Sequence, residues 1–595
     1  MPETIPALFA RQAASRADRT LFLVKRNGAY QPVTWQQAAD DVAALRNFLL
    51  SQEVRPGDRV VLFSENRPEW GIADLAIQGV GAWTVPLYPT LTASDLRSIC
   101  RDCQPVICVA STPEQLRCVA EVQREVSSIR TLIALPSASA PAAPVVAWDA
   151  ALGQGRELEP RVRETAAQRL AQLRPDATAT LIYTSGTTGE PKGVMLSHAN
   201  FLSNVEASAK VIPVSETDVH LSFLPLSHVF ERMAGWYLMM RAGASVAYAE
   251  NMDAIPQNMA EVRPTIMLGV PRFFEKLHTR IQEGLQHASP VKQRLIAWAL
   301  RVGRTRLARL SDGQPVSPLI SLQHALAQIL VLKTLHAKLG GRLRFFVSGS
   351  APLSRPIAEF FFSAGLTILE GYGLTETSPV IAVNRLPVPR FGTVGLPIPG
   401  VEVKIAEDGE ILTRGPHVMQ GYYHKPEATA EVLKDGWLHT GDIGHLDAKG
   451  CLVITDRKKD LIKTAGGKFV APQKLEMLFV SNPQISQAFV FGDTRPYCVA
   501  LIVPNAEQLR RYAESHHIAG RELSALVQDP KIRAWYWQLV QEKQGDLPGF
   551  EQVKKIALLD HEFSQAAGEL TPTLKAKRAV VAQHYADLLD RLYAA

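Results

Sequence analysis

Short apolar runs alternate with longer amphipathic segments through the first third of the chain, and this alternation limits the possible folds. RVVLFS, PVICVAS, IRTLIAL and TLIYT have the length and residue types of buried strands, whereas WQQAADDVAALRNFLLSQ has the spacing of a helix. Such a pattern is typical of folds in which helices cover a largely parallel sheet. We therefore predict an α/β fold for the N-terminal part.

The chain is too long for a single core, since 595 residues are expected to divide into two or more domains. After Gly392 the pattern changes to short strands and turns, as in VEVKIAEDGEILTRGP, which predicts a β-rich subdomain. A Lys- and Gly-containing segment begins near Asp456, and strands and helices alternate again beyond it. We place the domain boundary there, which gives domains 1–457 and 458–595.

Composition indicates a globular protein. Hydrophobic residues make up 46% and charged residues 21% of the chain, and the sequence suggests no apolar run long enough to cross a bilayer. The N-terminus has no charged head followed by a long apolar stretch, so we expect no secretory signal and a cytoplasmic protein. The formal net charge of +6 does not require a nucleic-acid partner.

The stretch LIYTSGTTGEPKGVMLSH has the composition of a phosphate-binding loop between a strand and a helix. Gly186 and Gly189 permit a tight turn with accessible backbone amides, and hydroxyl groups with one cation suit phosphate oxygens. These polar residues are Thr184, Ser185, Thr187, Thr188 and Lys192. Because Pro191 precedes the lysine, the loop does not match the Walker A pattern, which excludes the common P-loop class. Alone, the stretch could also be a surface turn.

Three further segments carry groups that suit the rest of a nucleotide. In EGYGLTETSP, Tyr372 could stack on a purine, and Glu376 could bind Mg²⁺ between phosphates. In DGWLHTGDIG, Asp442 could accept hydrogen bonds from both hydroxyls of a ribose. The third segment is ELTPTLKAKR near the C-terminus. Taken singly, each could be an ordinary turn with a capping residue.

Together and in this order, YTSGTTGEPKG, GYGLTETSP, DGWLHTGD and DRKKDLIKTAGGK resemble the motifs of the adenylate-forming (acyl-activating) enzyme superfamily. PLSHVFER and the ending LTPTLKAKRAVVAQHYADLLDRLY are most similar to AMP-forming long-chain fatty-acid–CoA ligases. The resemblance runs from about Thr34 to Tyr593. It implies a large N-terminal domain of layered α/β subdomains that includes the β-rich subdomain, a small mobile α+β C-terminal domain, and an active site between the two.

The resemblance also implies roles for individual residues. The loop would orient ATP, Thr184 and Glu376 would serve Mg²⁺, and the segment VSGSAPL would lie near adenine. Asp442 and Arg457 would hold the ribose, and the AGGK stretch would favour coenzyme A. The implied cofactor-binding residues are Thr184, Ser185, Gly186, Thr187, Thr188, Gly189, Lys192, Ser350, Ala351, Tyr372, Gly373, Thr375, Asp442, Arg457, Gly466 and Gly467.

Three residues are candidates for catalysis: Lys575, His228 and Glu376. His228 in PLSHVFER matches a family histidine near the substrate carboxylate, although a histidine beside apolar residues can also be structural. Many family members end in Pro-x-x-Gly-Lys, whereas this chain reads Thr571-Pro572-Thr573-Leu574-Lys575 and lacks the glycine. The spacing from the proline points to Lys575, and Lys577, one strand repeat away, remains an alternative.

These residues predict a ligase that converts a long-chain fatty acid and ATP to acyl-adenylate and pyrophosphate, then transfers the acyl group to coenzyme A and releases AMP. The expected cofactors are ATP, Mg²⁺ and the co-substrate coenzyme A. One alternative delivers the acyl group to an acyl-carrier protein, or acts on a medium-chain or aromatic carboxylate. Another is a nucleotide-binding protein without catalysis, which the complete set of site residues does not favour.

The segment between Glu283 and Asp312 has no acidic residue and combines six basic residues with apolar ones, and so is amphipathic. The basic residues are Lys292, Arg294, Arg301, Arg304, Arg306 and Arg309. A solvated helix face is one interpretation, and a peripheral contact with an anionic membrane is the other. The sequence predicts no oligomeric state.

Overall fold

The computed structural model describes residues 3–136, 145–185, 191–286, 288–311, 313–518, 520, 522–571 and 576–594. Helices and strands alternate from the first described residues. The elements up to the phosphate-loop motif are α1 (Ile5–Arg16), β1 (Thr20–Arg26), β2 (Ala29–Thr34), α2 (Trp35–Ser51), β3 (Arg59–Phe63), α3 (Pro68–Gly79), β4 (Trp83–Leu87), α4 (Ala93–Cys103), β5 (Ile107–Ala110), α5 (Pro113–Gln123), β6 (Thr131–Ala134), β7 (Val145–Ala147), α6 (Trp148–Gln172) and β8 (Thr178–Ser185).

The central part of the chain adds more helices and two π-helical segments. In order, its elements are β9 (Pro191–Ser197), α7 (His198–Ala209), β10 (Val219–Ser222), a first π-helix (Glu231–Tyr237), α8 (Leu238–Ala242), β11 (Ser245–Tyr248), α9 (Ile255–Val262), β12 (Ile266–Gly269), α10 (Pro271–Gln286), α11 (Pro290–Ser311), α12 (Pro318–Ala327), a second π-helix (Gln328–Leu332), α13 (Lys333–Lys338), β13 (Phe345–Ser348), α14 (Arg355–Ser363), β14 (Thr367–Gly373), a 3₁₀ turn (Thr375–Thr377) and β15 (Val380–Val383).

The remaining elements form the β-rich subdomain and the C-terminal part. The first group is β16 (Leu396–Pro397), β17 (Glu402–Ile405), β18 (Glu410–Arg414), β19 (Gly421–Tyr422), α15 (Pro426–Val432), β20 (Leu433–Lys434), β21 (Trp437–Leu446) and β22 (Leu452–Arg457). The second is β23 (Ile462–Lys463), β24 (Phe469–Val470), α16 (Pro472–Val480), β25 (Ile485–Phe491), β26 (Cys498–Pro504), α17 (Ala506–Ser515), α18 (Leu523–Leu526), α19 (Pro530–Gln544), β27 (Val553–Leu558), α20 (Arg578–His584) and α21 (Ala586–Ala594).

Two large, mostly parallel sheets form the N-terminal part. The nine-stranded sheet has the order β16-β15-β14-β13-β12-β10-β11-β1-β2, and the eight-stranded sheet has the order β19-β9-β8-β4-β3-β5-β6-β7. Among the described residues, the antiparallel pairs of these sheets lie towards the edges, between β1 and β2, β14 and β15, β15 and β16, β8 and β9, and β9 and β19. The parallel centres confirm the predicted α/β class, because parallel strands need helical crossovers that cover both faces.

The smaller sheets are antiparallel or mixed. β17, β18, β21, β20 and β22 make the five-stranded sheet of the β-rich subdomain. In the C-terminal part, β25 pairs antiparallel with β26, which pairs parallel with β27, and β23 and β24 form a separate hairpin. Buried residues such as Leu475, Phe479 and Tyr536 give this part a core of its own. The predicted fold class is therefore confirmed.

The largest core lies between the two main sheets and is rich in tryptophan. Trp35, Trp70 and Trp236 are completely buried there. Helix α3 is buried along its whole length, as is the first π-helix. Gly71 of α3 allows this packing, because a Cβ atom there would lie 3.3 Å from both Phe22 and Trp236. Both buried segments thus stand in fixed positions behind the site described below.

One helical stretch, Pro318–Lys338, is long and apolar enough to cross a membrane by length and composition, and it is the single such stretch among the residues that the structure describes. The expectation that the sequence has no such run was therefore wrong. The run comprises α12, the second π-helix and α13, and polar residues between its leucines dilute the apolar pattern along the sequence.

Candidate active site

A cavity of about 2570 Å³ lies between the N-terminal and C-terminal parts of the chain. Its wall includes the ends of β8 and β9, the loop after β13, the end of β14, the facing ends of β21 and β22, and residues of the C-terminal part such as Phe489 and Lys577. Loops at the carboxyl ends of parallel strands are the usual position for ligand sites in α/β folds. The cavity is therefore the candidate active site.

Asp442 and Arg457 face each other across two paired strands. They are register partners in β21 and β22, so the sheet itself brings their side chains together. Arg457 Nε donates to Asp442 Oδ1 at 2.9 Å, and Tyr372 Oη donates to Asp442 Oδ2 at 2.7 Å. The carboxylate is nearly buried. Burial opposes the charge of Arg457, but attraction to Asp442 raises the pKa of its guanidinium overall.

Burial and the neighbouring Asp442 both raise the pKa of the Tyr372 phenol, which keeps it protonated as the donor. The next residue of β14, Gly373, cannot be replaced by a larger one. A Cβ atom at Gly373 would lie 1.7 Å from the carbonyl oxygen of Pro379, so only glycine fits this close backbone approach. Gly373 therefore fixes the direction in which the chain leaves β14 towards Thr375 and Glu376.

Glu376 is held by a residue that follows it by 46 positions in the sequence. Tyr422 Oη of β19 donates to Glu376 Oε1 at 2.8 Å. Lys192 of β9 lies over the Tyr422 ring, with Nζ 5.2 Å from the ring centroid, which is within cation–π range. Since β19 pairs with β9, the sheet places this tyrosine between the lysine of the phosphate loop and the carboxylate.

The loop between β13 and α14 carries Ser350 and Ala351, and both line the cavity. Ser350 has φ = +69°, the left-handed region that a residue with a Cβ atom adopts at a cost. Next to it, a Cβ atom at Gly349 would lie 3.1 Å from the Phe230 ring. The loop thus carries the kind of backbone strain that often marks a binding site.

His228 lies in the loop after β10 and also lines the cavity. Its Nδ1 accepts a hydrogen bond from the backbone N–H of Phe230 at 3.2 Å, and its ring centroid lies 6.4 Å from that of Tyr88. Because Nδ1 accepts a hydrogen bond, the proton of the neutral imidazole is assigned to Nε2. The cavity wall beyond the histidine is apolar, and its residues on the first π-helix and α8 are Met233, Ala234, Leu238 and Met239.

Behind this wall, a fully buried ion pair joins the first π-helix to α3 and β8. Arg232 pairs with Asp74, and both side chains have no exposed surface. Arg232 Nη1 also donates to Thr180 Oγ1 of β8 at 2.7 Å, and Tyr237 Oη donates to Asp74 Oδ2 at 2.6 Å. A second buried contact joins His220 Nε2 to Glu231 Oε1 at 2.8 Å. Glu231 and Arg232, which are adjacent in the sequence, thus anchor the first π-helix, which lines the cavity.

Most residues predicted from the motifs lie together on the cavity wall. Thr184, Lys192, His228, Ser350, Ala351, Tyr372, Gly373, Thr375, Glu376, Asp442 and Arg457 all line it. Gly186, Thr187, Thr188, Gly189 and Lys575 lie outside the described residues, as does the side chain of Ser185, whose backbone pairs with Pro191. Gly466 and Gly467 lie in the exposed turn between β23 and β24 and are not among the residues that line the cavity.

Two carboxyl groups of the wall have unusual protonation. Burial raises the pKa of Glu370, on β14, to about 8, so this side chain is largely protonated at neutral pH. Burial likewise raises the pKa of Asp456, next to Arg457, to about 7. Perturbed carboxyl groups in a cavity are typical of functional sites. Neither residue was predicted from the sequence, because burial depends on distant parts of the chain.

Two family profiles match the chain. The AMP-binding enzyme family matches residues 9–423, and the AMP-binding enzyme C-terminal domain matches residues 459–595. The chain belongs to the AMP-binding enzyme family.

Curated relatives of this AMP-binding enzyme match almost its whole length. The long-chain-fatty-acid–CoA ligase FadD15 of Mycobacterium bovis is 36% identical over 99% of the chain and 97% of its own length. The peroxisomal long chain acyl-CoA synthetase 7 of Arabidopsis thaliana is 33% identical over 95% of the chain and 82% of its own length. These relatives confirm the predicted resemblance to long-chain fatty-acid–CoA ligases.

Solved structures show the same fold at lower sequence identity. The anthranilate CoA ligase AuaEII in complex with anthranoyl-AMP has a TM-score of 0.75 with 18% identity, covering 99% of this AMP-binding enzyme and 98% of that chain. The ATP-bound MatB from Rhodopseudomonas palustris has a TM-score of 0.71 with 24% identity, covering 98% and 99%. They support the adenylate-forming fold, and they do not identify a substrate for this chain.

The AMP-binding enzyme offers donors that suit one hard cation bound together with phosphate. Glu376 supplies a carboxylate and Thr184 a hydroxyl at the cavity wall. Among the described residues, no group of three or more His, Cys, Asp or Glu side chains could hold a metal ion by itself. This donor set fits Mg²⁺, which is usually bound by one or two carboxylates plus substrate phosphates.

Sequence reasoning missed two features of the AMP-binding enzyme site. Tyr422 orients Glu376, and the Asp74–Arg232 pair fixes the first π-helix. The motif YYHK does contain Tyr422, but its partner is 46 residues away. The Arg232 side chain follows His228 by one helical turn, and no pattern along the chain indicates that its partner lies 158 residues earlier.

Proposed function

We propose that this AMP-binding enzyme is a long-chain fatty-acid–CoA ligase that works in two half-reactions. A fatty carboxylate attacks the α-phosphate of ATP to give acyl-adenylate and pyrophosphate. The thiol of coenzyme A then attacks the acyl carbon, which gives the thioester and AMP. The observation that carries the proposal is the 36% identity with a long-chain-fatty-acid–CoA ligase over 99% of this chain and 97% of the relative.

The nucleotide would bind at the polar end of the cavity. Asp442 would accept the ribose hydroxyls while Arg457 and Tyr372 hold its carboxylate in place, and the Tyr372 ring would stack on adenine. Ser350 and Ala351 would border the base. Because the carboxylate is already oriented by two donors, little conformational freedom would be lost when the ribose binds.

The triphosphate would lie along the loop from Thr184 to Lys192, where backbone amides, hydroxyl groups and the lysine suit its oxygens. Glu376 and Thr184 would hold Mg²⁺, which when bound neutralises negative charge on the phosphates. Tyr422 would keep Glu376 directed into the cavity through its 2.8 Å hydrogen bond. Positioning and charge neutralisation would then account for most of the rate of adenylation.

The acyl chain would enter the apolar part of the cavity beside the first π-helix. Met233, Ala234, Leu238 and Met239 line this part, together with Ile212 and Val214 near α7. Each buried methylene group contributes up to about 0.8 kcal/mol, so the depth of this region should set the preferred chain length. His228, at the polar entrance, would lie near the carboxylate of the substrate.

The C-terminal domain would supply the remaining catalytic group. We propose domains 1–457 and 458–595, with Lys575 delivered to the α-phosphate during adenylation. Rotation of this domain would then remove Lys575 and present the Gly466–Gly467 turn to coenzyme A. In the arrangement seen here Gly466 and Gly467 are not among the residues that line the cavity, which is consistent with a role in the second half-reaction.

Pyrophosphate release, measured across carboxylates from acetate to long-chain and aromatic acids, tests the proposal. We expect release with long-chain acids and formation of the thioester with free coenzyme A. Release without thioester formation, restored by an acyl-carrier protein, would instead favour the carrier-protein alternative. Preference for an aromatic or short acid would contradict the substrate class, and absence of release with every acid would contradict the enzyme itself.

A further inference from the structure

The helix Pro318–Lys338 exposes an apolar surface that this fold does not cover. Among the described residues, ten large hydrophobic side chains are strongly exposed, and five of them lie on this helix. Leu319, Leu322, Leu326, Ile329 and Leu330, which we call the apolar face, are exposed by 44 to 68%. Their spacing of three and four residues places them on one side of the helix. Scattered exposed leucines are ordinary, but a contiguous group indicates a binding surface.

The opposite side of the helix is packed against α11. Ala327 and Leu332 are buried in a small cluster with Ala299 of α11, and Trp298 and Val331 pack at its edge. Helix α11 is itself fixed closely to α14, since a Cβ atom at Gly303 would lie 2.2 Å from the carbonyl oxygen of Ser363. The apolar face is therefore held outward by a rigid support.

The neighbouring helix, α11, and the segments around it are strongly basic. Between residues 284 and 342 the sequence has nine Lys or Arg residues and one acidic residue, a formal charge of +8, whereas the whole chain carries +6. Lys292, Arg294, Arg301 and Arg304 of α11 are exposed, and we call them the basic cluster. Within the described part of the chain, none of these four forms an ion pair with a carboxylate. Their charge is therefore available to a partner.

We propose that the apolar face and the basic cluster together form a docking surface for an anionic lipid bilayer. The helix would lie in the plane of the interface, its leucines among the acyl chains and the arginines at the lipid headgroups. An in-plane position follows from the packing, because Ala327 and Leu332 would have to leave α11 before the helix could span the bilayer.

Charge decides between a bilayer and a second copy of the chain. A symmetric dimer through this face would bring two copies of the same basic surface together, and their repulsion would oppose association. An anionic bilayer offers charge of the opposite sign over the whole surface. The same argument predicts that binding weakens as the salt concentration increases.

The surface also lies beside one opening of the cavity. Met252 lines the cavity and is 51% exposed, which marks a point where the cavity meets solvent. Helix α9 begins three residues later, and α13, the end of the apolar helix, packs against α9. A docked bilayer would therefore lie near this opening. Delivery of fatty acid by this route rests on the proposed function, whereas docking itself does not.

Sedimentation with lipid vesicles tests the docking surface without substrate, ATP or coenzyme A, so the outcome is independent of the proposed activity. The full chain is mixed with phosphatidylcholine vesicles with or without phosphatidylglycerol, at low and high salt. We expect binding that requires phosphatidylglycerol and low salt. The triple variant L322S/L326S/I329S and the charge reversal R301E/R304E should each reduce partitioning by about tenfold or more.

Two controls keep the test specific. The variant R124E/R161E makes the same change in charge at two exposed positions, Arg124 just after α5 and Arg161 on α6. It should bind vesicles as well as the original protein does. Circular dichroism and thermal unfolding verify that every variant is folded. Lack of binding by the original protein, or undiminished binding by the folded triple variant, would overturn the proposal. So would a dimer that the triple variant converts to a monomer, since a second copy would then be the occupant.

Discussion

Two lysines near the C-terminus compete for the catalytic role, and the structure describes the surroundings of Lys577 alone. Lys575 lies outside the described residues. Lys577 immediately precedes α20, and its backbone N–H donates to the carbonyl of Glu569 at 2.7 Å. Lys577 is thus the N-cap residue of α20, and its spacing from Lys575 stays a prediction. Its exposed side chain still borders the cavity.

Replacing Lys575 by alanine should slow pyrophosphate release by about 10²–10³, the usual effect of removing one electrostatic donor from a transition state. The variant should still convert chemically prepared acyl-adenylate and coenzyme A to thioester, because the charge on the α-phosphate forms only in the first half-reaction. Lys577→Ala is the matched control and should be nearly neutral. If the two effects are reversed in single-turnover assays, the assignment belongs to Lys577.

His198, the first residue of α7, makes stability depend on pH. Burial lowers the pKa of its ring to about 4 from an ordinary value of 6.5. Protonation therefore favours the unfolded chain, so the stabilisation is present above pH 6.5 and is lost as pH falls towards about 4. This residue alone should decrease the free energy of unfolding by about 1.4 kcal/mol per pH unit in that range.

Urea titrations between pH 7.5 and 4.5 measure this slope. His198→Asn should flatten it whatever its effect on stability at neutral pH. Substitution of the exposed His561 by asparagine is the control for loss of a histidine side chain outside the core. Equal slopes in the original protein and the His198 variant would show that other groups cause the acid sensitivity.

At the scale of helices and strands, the buried pair Asp74–Arg232 connects three elements behind the cavity. Arg232→Ala would leave the Asp74 carboxylate buried without its cation and should decrease the free energy of unfolding by about 3–5 kcal/mol. The double variant D74L/R232M removes both charges and should recover much of that loss, since an apolar pair needs no compensation. Urea titration compares them. A double variant as unstable as Arg232→Ala would show that shape, rather than charge, controls packing there.

The sequence predicted the elements that carry local patterns. The parallel α/β layout, the β-rich subdomain and the segments with Tyr372, Asp442 and Arg457 follow from strand runs, glycines and motifs within a few residues of each other. What it could not predict are contacts between distant segments. Glu376 with Tyr422 and Arg232 with Asp74 depend on the tertiary fold, and the π-helix has the same apolar pattern as an ordinary helix.

At the scale of the whole molecule, Lys459 lies between two separately anchored segments. Lys458, before it, pairs with Asp408 and Glu410 of the β-rich subdomain, whereas Ile462, after it, is buried in the core of the C-terminal part. A rotation between the domains must therefore change backbone angles close to Lys459. This placement is consistent with a hinge at Lys459.

Lys459→Pro should trap one arrangement of the domains, because proline fixes φ near −65°. We expect thioester formation to slow much more than adenylation in single-turnover assays. Lys459→Ala removes the same side chain but leaves the backbone flexible, so it should affect neither step strongly. A similar loss in both half-reactions of the proline variant would argue against a hinge at this position.

Arg272, at the start of α10, connects the two domains directly. Its guanidinium donates to the carbonyl oxygen of Ser486 at 2.6 Å and to the hydroxyl of Ser486 at 3.0 Å, and it pairs with Glu562, which is half-exposed. Any rotation of the C-terminal domain breaks these bonds, and water replaces them. The ion pair alone contributes about 0–1 kcal/mol, which is a factor of about five between the two populations, and the two hydrogen bonds to Ser486 add to this preference. A ligand that gains one charged hydrogen bond in another arrangement would shift the equilibrium towards that arrangement.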